Sequence, residues 1–172
     1  MKIGVIGAGT MGAGIAEVAS KKYEVVVRDI KDEFVEKGKA KITKSFEKSV
    51  AKERITAEQK DEYLGRLTFT TDVNDLKDCD LIVEAASENP EIKKSIFKEL
   101  DEICKEDAIL ASNTSSISIT EIAAATKRPD KVIGMHFFNP ATIMKLVELI
   151  QGITTSDETV AKVKEITEEI GK

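Results

Sequence analysis

The chain has 172 residues, and 26 Lys and Arg against 31 Asp and Glu leave a net charge of −5. With 41% hydrophobic and 33% charged residues it has the balance of a soluble globular domain, not of a mainly disordered chain. A chain this long buries roughly 70% of its unfolded surface without a disulfide or metal staple, and its acidic balance argues against bulk nucleic-acid binding.

Residues 2–6, KIGVI, read as a buried strand. Gly7-Ala8-Gly9-Thr10-Met11-Gly12 follows, then a helix to about Lys21 with Met11, Ile15, Val18 and Ala19 on one face. Residues 24–29 form a second strand. Ile42, Phe46 and Val50, spaced four apart, predict a long helix over 32–52 with these three toward the core. A helix over about 56–64 stops at Gly65. Short strands follow at 67–70 and 80–84. Asn89-Pro90 then opens a helix, Asn as N-cap and Pro in the first turn. Its expected apolar face is Ile92, Ile96, Leu100 and Ile103. Next come a strand at 108–112 and a short helix behind the capping box Ser118-x-x-Glu121. Strands at 131–136 and 146–150 precede a last helix. Thr155-x-x-Glu158 is its expected cap, Val160, Val163, Ile166 and Ile170 its inward face, and Gly171 its stop.

This alternation predicts an α/β fold of Rossmann type. The sheet is mainly parallel with helices on both faces, a helical insertion follows the second strand, and the last strand or strands are free to run antiparallel. No apolar run approaches the roughly 20 residues of a membrane helix, and the N-terminus does not read as a signal peptide. Cys79 and Cys104 make no disulfide framework. The expectation is a reduced, cytoplasmic protein with no membrane or nucleic-acid partner.

The glycine hexapeptide follows a strand, opens a helix, and has Asp29 twenty residues after Gly9. That context is the dinucleotide fingerprint. Gly7 permits the tight turn, Gly9 lets backbone approach a pyrophosphate, and Gly12 lets helix and strand pack closely. Asp29 can accept both ribose hydroxyls of NAD and would repel the 2′-phosphate of NADP. Arg28, next to it, is the residue that could favour NADP, but it should point to the other sheet face. A glycine turn serving packing alone is the competing reading, and the surrounding pattern outweighs it.

Ligands of open α/β sheets bind outside the carboxyl ends of the strands. Three polar loops fall there: Glu84 to Asn89, Asn113 to Ser116, and His136 to Pro140. His136 is the only histidine, and an imidazole is the natural general base near neutrality. Glu148 lies on the next strand after a connection over 137–145. If the two strands pair, its carboxylate can fix the imidazole tautomer and stabilise the imidazolium. Ser115 could bond a substrate oxygen. A lone histidine is ordinarily a satisfied core residue, and the serine–threonine run could be turn chemistry. For Glu84 and Glu88 the bland alternative is a solvated helix entry. Lys44, Lys48 and Lys52 form a stripe turned about 200° from the core row. Periodicity alone makes it a solvated face, with a polyphosphate seat as the functional alternative.

GAGTMGAGIA, IVEAASEN, ASNTSSISIT and GMHFFNPATIMKLVELI together resemble the 3-hydroxyacyl-CoA dehydrogenases, and most of all the bacterial 3-hydroxybutyryl-CoA branch. The resemblance covers the whole chain. It implies an NAD-dependent interconversion of (S)-3-hydroxyacyl-CoA, such as 3-hydroxybutyryl-CoA, and 3-ketoacyl-CoA. By resemblance His136 is the catalytic base, Glu148 its partner and Ser115 the substrate-oxygen contact. Gly7, Gly9, Thr10, Met11, Gly12 and Asp29, with Glu88, Lys93 and Asn139, fall at cofactor positions. Ser45 and Lys52 fall at coenzyme A positions, which lifts the lysine stripe above a plain solvated face. Family members continue into an all-helical domain that completes the acyl pocket and the dimer. The expectation is therefore one NAD-binding domain over 1–172 without that second domain, a homo-oligomer in full-length form. Two readings of activity follow: a dehydrogenase domain, or an NAD- and CoA-binding module with little turnover. Another Rossmann oxidoreductase, such as a sugar-acid dehydrogenase, is disfavoured by the His136–Glu148 pair and the HFFNP block. The chain departs from relatives at Asn89-Pro90-Glu91 and at PATIMKL after HFFN.

Overall fold

Seven strands and six helices alternate along the chain in the computed structural model, which describes all 172 residues. They are β1 (Lys2–Ile6), α1 (Thr10–Ser20), β2 (Glu24–Arg28), α2 (Asp32–Ala51), α3 (Ala57–Gly65), β3 (Leu67–Thr70) and β4 (Leu81–Glu84). After these come α4 (Pro90–Ile103), β5 (Ile109–Ser112), α5 (Ile119–Ala123), β6 (Val132–Phe137), β7 (Val147–Gln151) and α6 (Asp157–Glu169).

The strands form one sheet in the order β3-β2-β1-β4-β5-β6-β7. The first six are parallel, and β7 runs antiparallel to β6. This is the dinucleotide-binding strand order with one antiparallel edge added. The strand period of two builds its two apolar layers. In β2, Val25 and Val27 join the layer under α1, α2 and α6, while Val26 joins the layer under α4 and α5. Parallel strands covered on both faces read as continuous apolar runs, as β1, β2 and β4 do.

The helical insertion after the second strand is α2 and α3. Ile42 and Phe46 are buried, but Val50, at the last turn of α2, is only half-buried. Four further local expectations need correction. Thr155 does not cap α6: its hydroxyl bonds to the Val132 carbonyl at 2.6 Å, and Ser156 next to it accepts the Thr159 N–H. In α6, Val160 is half-buried while Val163, Ile166 and Ile170 are inward. At Ser118 only half the capping box forms, the hydroxyl accepting the Glu121 N–H. The complete box is Thr56 with Gln59 at α3. The inward face of α4 is also rotated. Ile92 is 49% exposed, and Lys93, Phe97 and Leu100 face in. The reason is a buried acid at the end of β4 that needs a cation.

Candidate active site

The loop from β1 to α1 has the geometry its glycines predict. Gly7 sits at φ +98°, and its N–H donates to the Arg28 carbonyl at 2.9 Å. A Cβ on Gly12 would lie 1.8 Å from the Gly7 carbonyl oxygen, so no side chain fits there. Around Gly9 the opposite holds: a Cβ would meet nothing within 4 Å. Gly9 is the N-cap of α1, and no side chain caps that helix. Its first-turn N–H groups and the positive end of its dipole therefore face an open approach, which suits a phosphate. Asp29 follows β2 beside this loop. Its Oδ2 accepts the Ala8 N–H and its Oδ1 the Ile30 N–H, each at 2.7 Å. A carboxylate with two such bonds keeps lone pairs for ribose hydroxyls. Arg28 is drawn to the end of β3, where Nε donates to the Thr71 carbonyl at 3.4 Å. Tight turn, open glycine, uncapped helix and acid fit a dinucleotide.

Glu84 is not a solvated residue at a helix entry. It is 0% exposed, and Lys93 is 1% exposed. Lys93 Nζ donates to Glu84 Oε2 at 2.5 Å, and Ser112 Oγ donates to the same oxygen at 3.2 Å. Oε1 accepts the Ala86 N–H at 2.8 Å. The pair thus ties β4, β5, α4 and the loop after β4 together. Glu88 lies one step outward, 3.9 Å from Lys93 Nζ. It accepts the Thr114 hydroxyl at 2.5 Å and the Ser115 N–H at 3.1 Å. Partial burial pushes the Glu88 carboxyl up, but the bonds from Thr114 and Ser115 and the Lys93 charge outweigh it and hold it below the usual range. Met11, Glu88, Lys93 and Asn113 line one pocket beside the glycine loop.

His136 and Glu148 are directly opposite in the β6–β7 register. Nδ1 lies 2.8 Å from Glu148 Oε2. An ionised carboxylate only accepts, so Nδ1 carries the proton and Nε2 is left free. The Phe138 ring packs against the imidazole, centroids 4.8 Å apart. Ser115, His136, Glu148 and Ile150 line one groove at the carboxyl end of β6. Asn113 joins that groove to the fold: its Oδ1 accepts the Phe137 N–H at 2.8 Å.

The remaining candidates gather in a third groove. Thr10, Glu17, Lys41, Ser45 and Asn139 line the space between α1, α2 and the loop after β6. Ser45 Oγ donates to Glu17 Oε1 at 2.8 Å. Burial pushes the Glu17 carboxyl up, against the opposing Ser45 bond and Lys21 charge. Lys44 and Lys48 are exposed on the outer side of α2, and Lys52 is its exposed C-cap. Lys52 lines none of these grooves. The candidates are thus brought together as a cofactor loop, a His136–Ser115 groove and a Ser45 groove.

Comparison with known proteins adds the decisive observation. Residues 2–172 match the family model described as "3-hydroxyacyl-CoA dehydrogenase, NAD binding domain". The chain belongs to the 3-hydroxyacyl-CoA dehydrogenase family. It is 53% identical to a probable 3-hydroxybutyryl-CoA dehydrogenase of Deinococcus radiodurans, over 100% of this chain and 62% of that protein. It is 51% identical to a 3-hydroxybutyryl-CoA dehydrogenase of Clostridioides difficile, with the same coverage. The crystal structure of an (S)-3-hydroxybutyryl-CoA dehydrogenase from Ralstonia eutropha superposes with a TM-score of 0.97 at 48% identity, covering 99% of this chain and 61% of that one. The chain spans about three fifths of the length of these relatives. It is an NAD-binding domain of the family, and no helix is long and apolar enough to cross a membrane.

The sequence marks the loops of Glu84 and Asn113 without the roles the two side chains take, and it leaves Glu17 unmarked. Glu84 ends a run of apolar residues, the signal that its side chain turns into the core. Asn113 opens the serine–threonine loop whose place it fixes. Glu17 stands at i+4 from Ala13 on a helix face otherwise made of small and apolar residues, a pattern that marks a buried acid.

Proposed function

We propose that this domain performs the NAD-binding and acid–base part of a dehydrogenase acting on (S)-3-hydroxyacyl-CoA, with 3-hydroxybutyryl-CoA as substrate. The single observation carrying the reading is the 2.8 Å contact of His136 Nδ1 with Glu148, which leaves Nε2 as a free base in one groove with Ser115.

Ser115 Oγ donates to the substrate oxygen on C3 and orients it. His136 Nε2 takes the proton of the 3-hydroxyl as the C–H bond on C3 breaks with its electron pair and the ketone forms. NAD, when bound, supplies the acceptor for that hydride. Glu148 holds the imidazole by Nδ1–H and stabilises the imidazolium that develops, so no charge is left without a partner. In the reverse direction His136 returns the proton to the forming alkoxide. Asp29 accepts the ribose hydroxyls, the loop from Gly7 to Gly12 takes the phosphates, and Met11, Glu88, Lys93 and Asn139 border the cofactor. Ser45 and Lys52 hold coenzyme A from α2. Ile143, Met144 and Leu146 stand exposed beyond Asn139, which suits a surface that closes over the acyl chain and excludes water.

The test is NADH oxidation with acetoacetyl-CoA, run beside direct NADH binding, for the wild type and His136→Gln. Turnover abolished in the variant with NADH binding intact supports the reading. Equal turnover in the two removes His136 from the chemistry. NADH binding with no turnover in the wild type assigns these residues the binding role alone.

A further inference from the structure

Helix α2 crosses the glycine loop at its own glycine. A Cβ on Gly38 would lie 2.8 Å from both the carbonyl oxygen and the Cβ of Ala8, so only a bare Cα lets the helix come this near. Ala8 is held from the other side, where Asp29 accepts its N–H. Lys41 follows Gly38 by three residues and so stands on the same face of α2. Its ammonium donates to Thr10 Oγ1 at 3.2 Å, at the first residue of α1. Lys37, one turn earlier, is paired with Glu33 at 2.5 Å, whereas the polar partner of Lys41 is the Thr10 hydroxyl. Thr10 and Lys41 line the same groove. The stripe of Lys44, Lys48 and Lys52 does not reach the loop.

We propose that Lys41 is a cofactor-binding residue whose ammonium meets the pyrophosphate of the dinucleotide, oriented by the Thr10 hydroxyl. The inference rests on the NAD reading of the glycine loop and adds to it a charge the fingerprint does not contain. Backbone N–H groups and the helix dipole give the phosphates about half a positive charge. An ammonium at the same helix end gives a full one, and a charge-assisted bond with it. One of its three donors is on Thr10, and two are left for a diphosphate. Gly38 and Lys41 act as one device: the glycine brings the helix in, and the lysine uses the approach. Coenzyme A also carries a pyrophosphate, so the chemistry is shared. The place of Lys41, on the first residue of α1, assigns it to the dinucleotide.

The experiment is fluorescence titration of NADH, with parallel titrations of coenzyme A and adenosine, for the wild type, Lys41→Met and Lys41→Arg. Lys41 is exposed, so both variants should keep the wild-type melting curve. Lys41→Met is expected to weaken NADH roughly five- to tenfold at low salt. The loss should shrink as salt screens the charge. Lys41→Arg should recover most of the affinity, and adenosine should bind all three proteins alike. Equal NADH affinity in wild type and Lys41→Met overturns the proposal, and so does a loss confined to coenzyme A. Failure of the wild type to bind NADH is a different result, and it overturns the cofactor reading together with this one.

Discussion

Two acid–base pairs stand at the same end of this sheet, and their surroundings give them opposite roles. Lys93 and Glu84, at the end of β4, meet at 2.5 Å with side chains 1% and 0% exposed. His136 and Glu148, on β6 and β7, meet at 2.8 Å with side chains 19% and 53% exposed. In the first pair both carboxylate oxygens are taken, by Lys93 and Ser112 on one side and the Ala86 N–H on the other. Glu84 has no oxygen left for a ligand and holds the loops in place, and Lys93 is fixed by it at the border of the pocket beside the glycine loop. In the second, the imidazole keeps one free nitrogen and the groove reaches it. Short distance alone therefore does not mark a catalytic pair. What marks it is a contact that leaves one functional atom unspent.

Breaking each pair should separate stability from chemistry. Lys93→Met leaves a fully buried carboxylate without its cation, and should cost about 3–5 kcal/mol in urea unfolding. Replacing both partners, Glu84→Gln with Lys93→Met, should recover much of that, because neutral groups of similar size carry no uncompensated charge. A loss below about 1 kcal/mol in the single variant would mean that water reaches Glu84. Glu148→Gln should behave the other way. A half-exposed pair is worth about 0–1 kcal/mol to the fold. Acetoacetyl-CoA reduction should nevertheless fall on the order of a hundredfold or more, because the amide can present the wrong group to Nδ1. The double variant His136→Gln, Glu148→Gln should be little worse than His136→Gln alone, as for residues sharing one role. Multiplicative losses would break the pairing.

Asp29 extends the contrast to the cofactor, since its carboxylate is half-buried and keeps lone pairs beyond its two N–H partners. A 2′-phosphate brought to it meets like charge in a partly desolvated place. NADH should bind more tightly than NADPH by about 1–3 kcal/mol, or roughly ten- to a hundredfold. Asp29→Asn should narrow that gap. An NADPH affinity equal to that for NADH in the wild type would mean that Lys31 or Arg28 governs the site.

Much of this arrangement is legible in the residues, and what escapes has a common cause. The glycine loop, the strand–helix alternation and the β6–β7 return that sets Glu148 against His136 are local patterns, and local patterns survive into the fold. The two sheet layers follow in the same way from the strand period. The inward turn of Lys93 is not local. Helix periodicity reads Ile92 as the core residue of α4, but Glu84, nine residues earlier on a different element, needs a cation, and that need rotates the face. The cap of α6 fails for a related reason. Thr155 and Ser156 are both good caps, and Thr155 is taken by the Val132 carbonyl across the sheet edge. Lys41 is hidden by its neighbours: the regular stripe at 44, 48 and 52 draws the eye, while the close approach at Gly38 decides which lysine reaches the loop.

Glu17 is the acid that lies between the two pairs in character. It is buried like Glu84, with 6% exposure, but its one side-chain partner is the Ser45 hydroxyl and no ammonium contacts it. Burial therefore wins and its carboxyl is pushed above the ordinary 4.5. The sign of the linkage follows. The folded chain holds this proton to higher pH than the unfolded chain does, so the contribution favours folding below about pH 4.5 and is lost as pH rises through the folded value. Above that value the native state carries a buried charge with no ammonium in contact. Glu17→Gln keeps an acceptor for Ser45 and removes that charge, so at pH above the folded value it should raise the melting temperature by about 2–4 °C, roughly 1 kcal/mol for a chain of this size. The gain should fade as pH falls through the raised folded value, where Glu17 takes up its proton in the native protein and comes to resemble the amide. A gain that holds constant across the acid range would show that the carboxyl titrates as if in water. Glu17 would then belong with the exposed acids of α2, and burial without a cation would no longer distinguish it from Glu84.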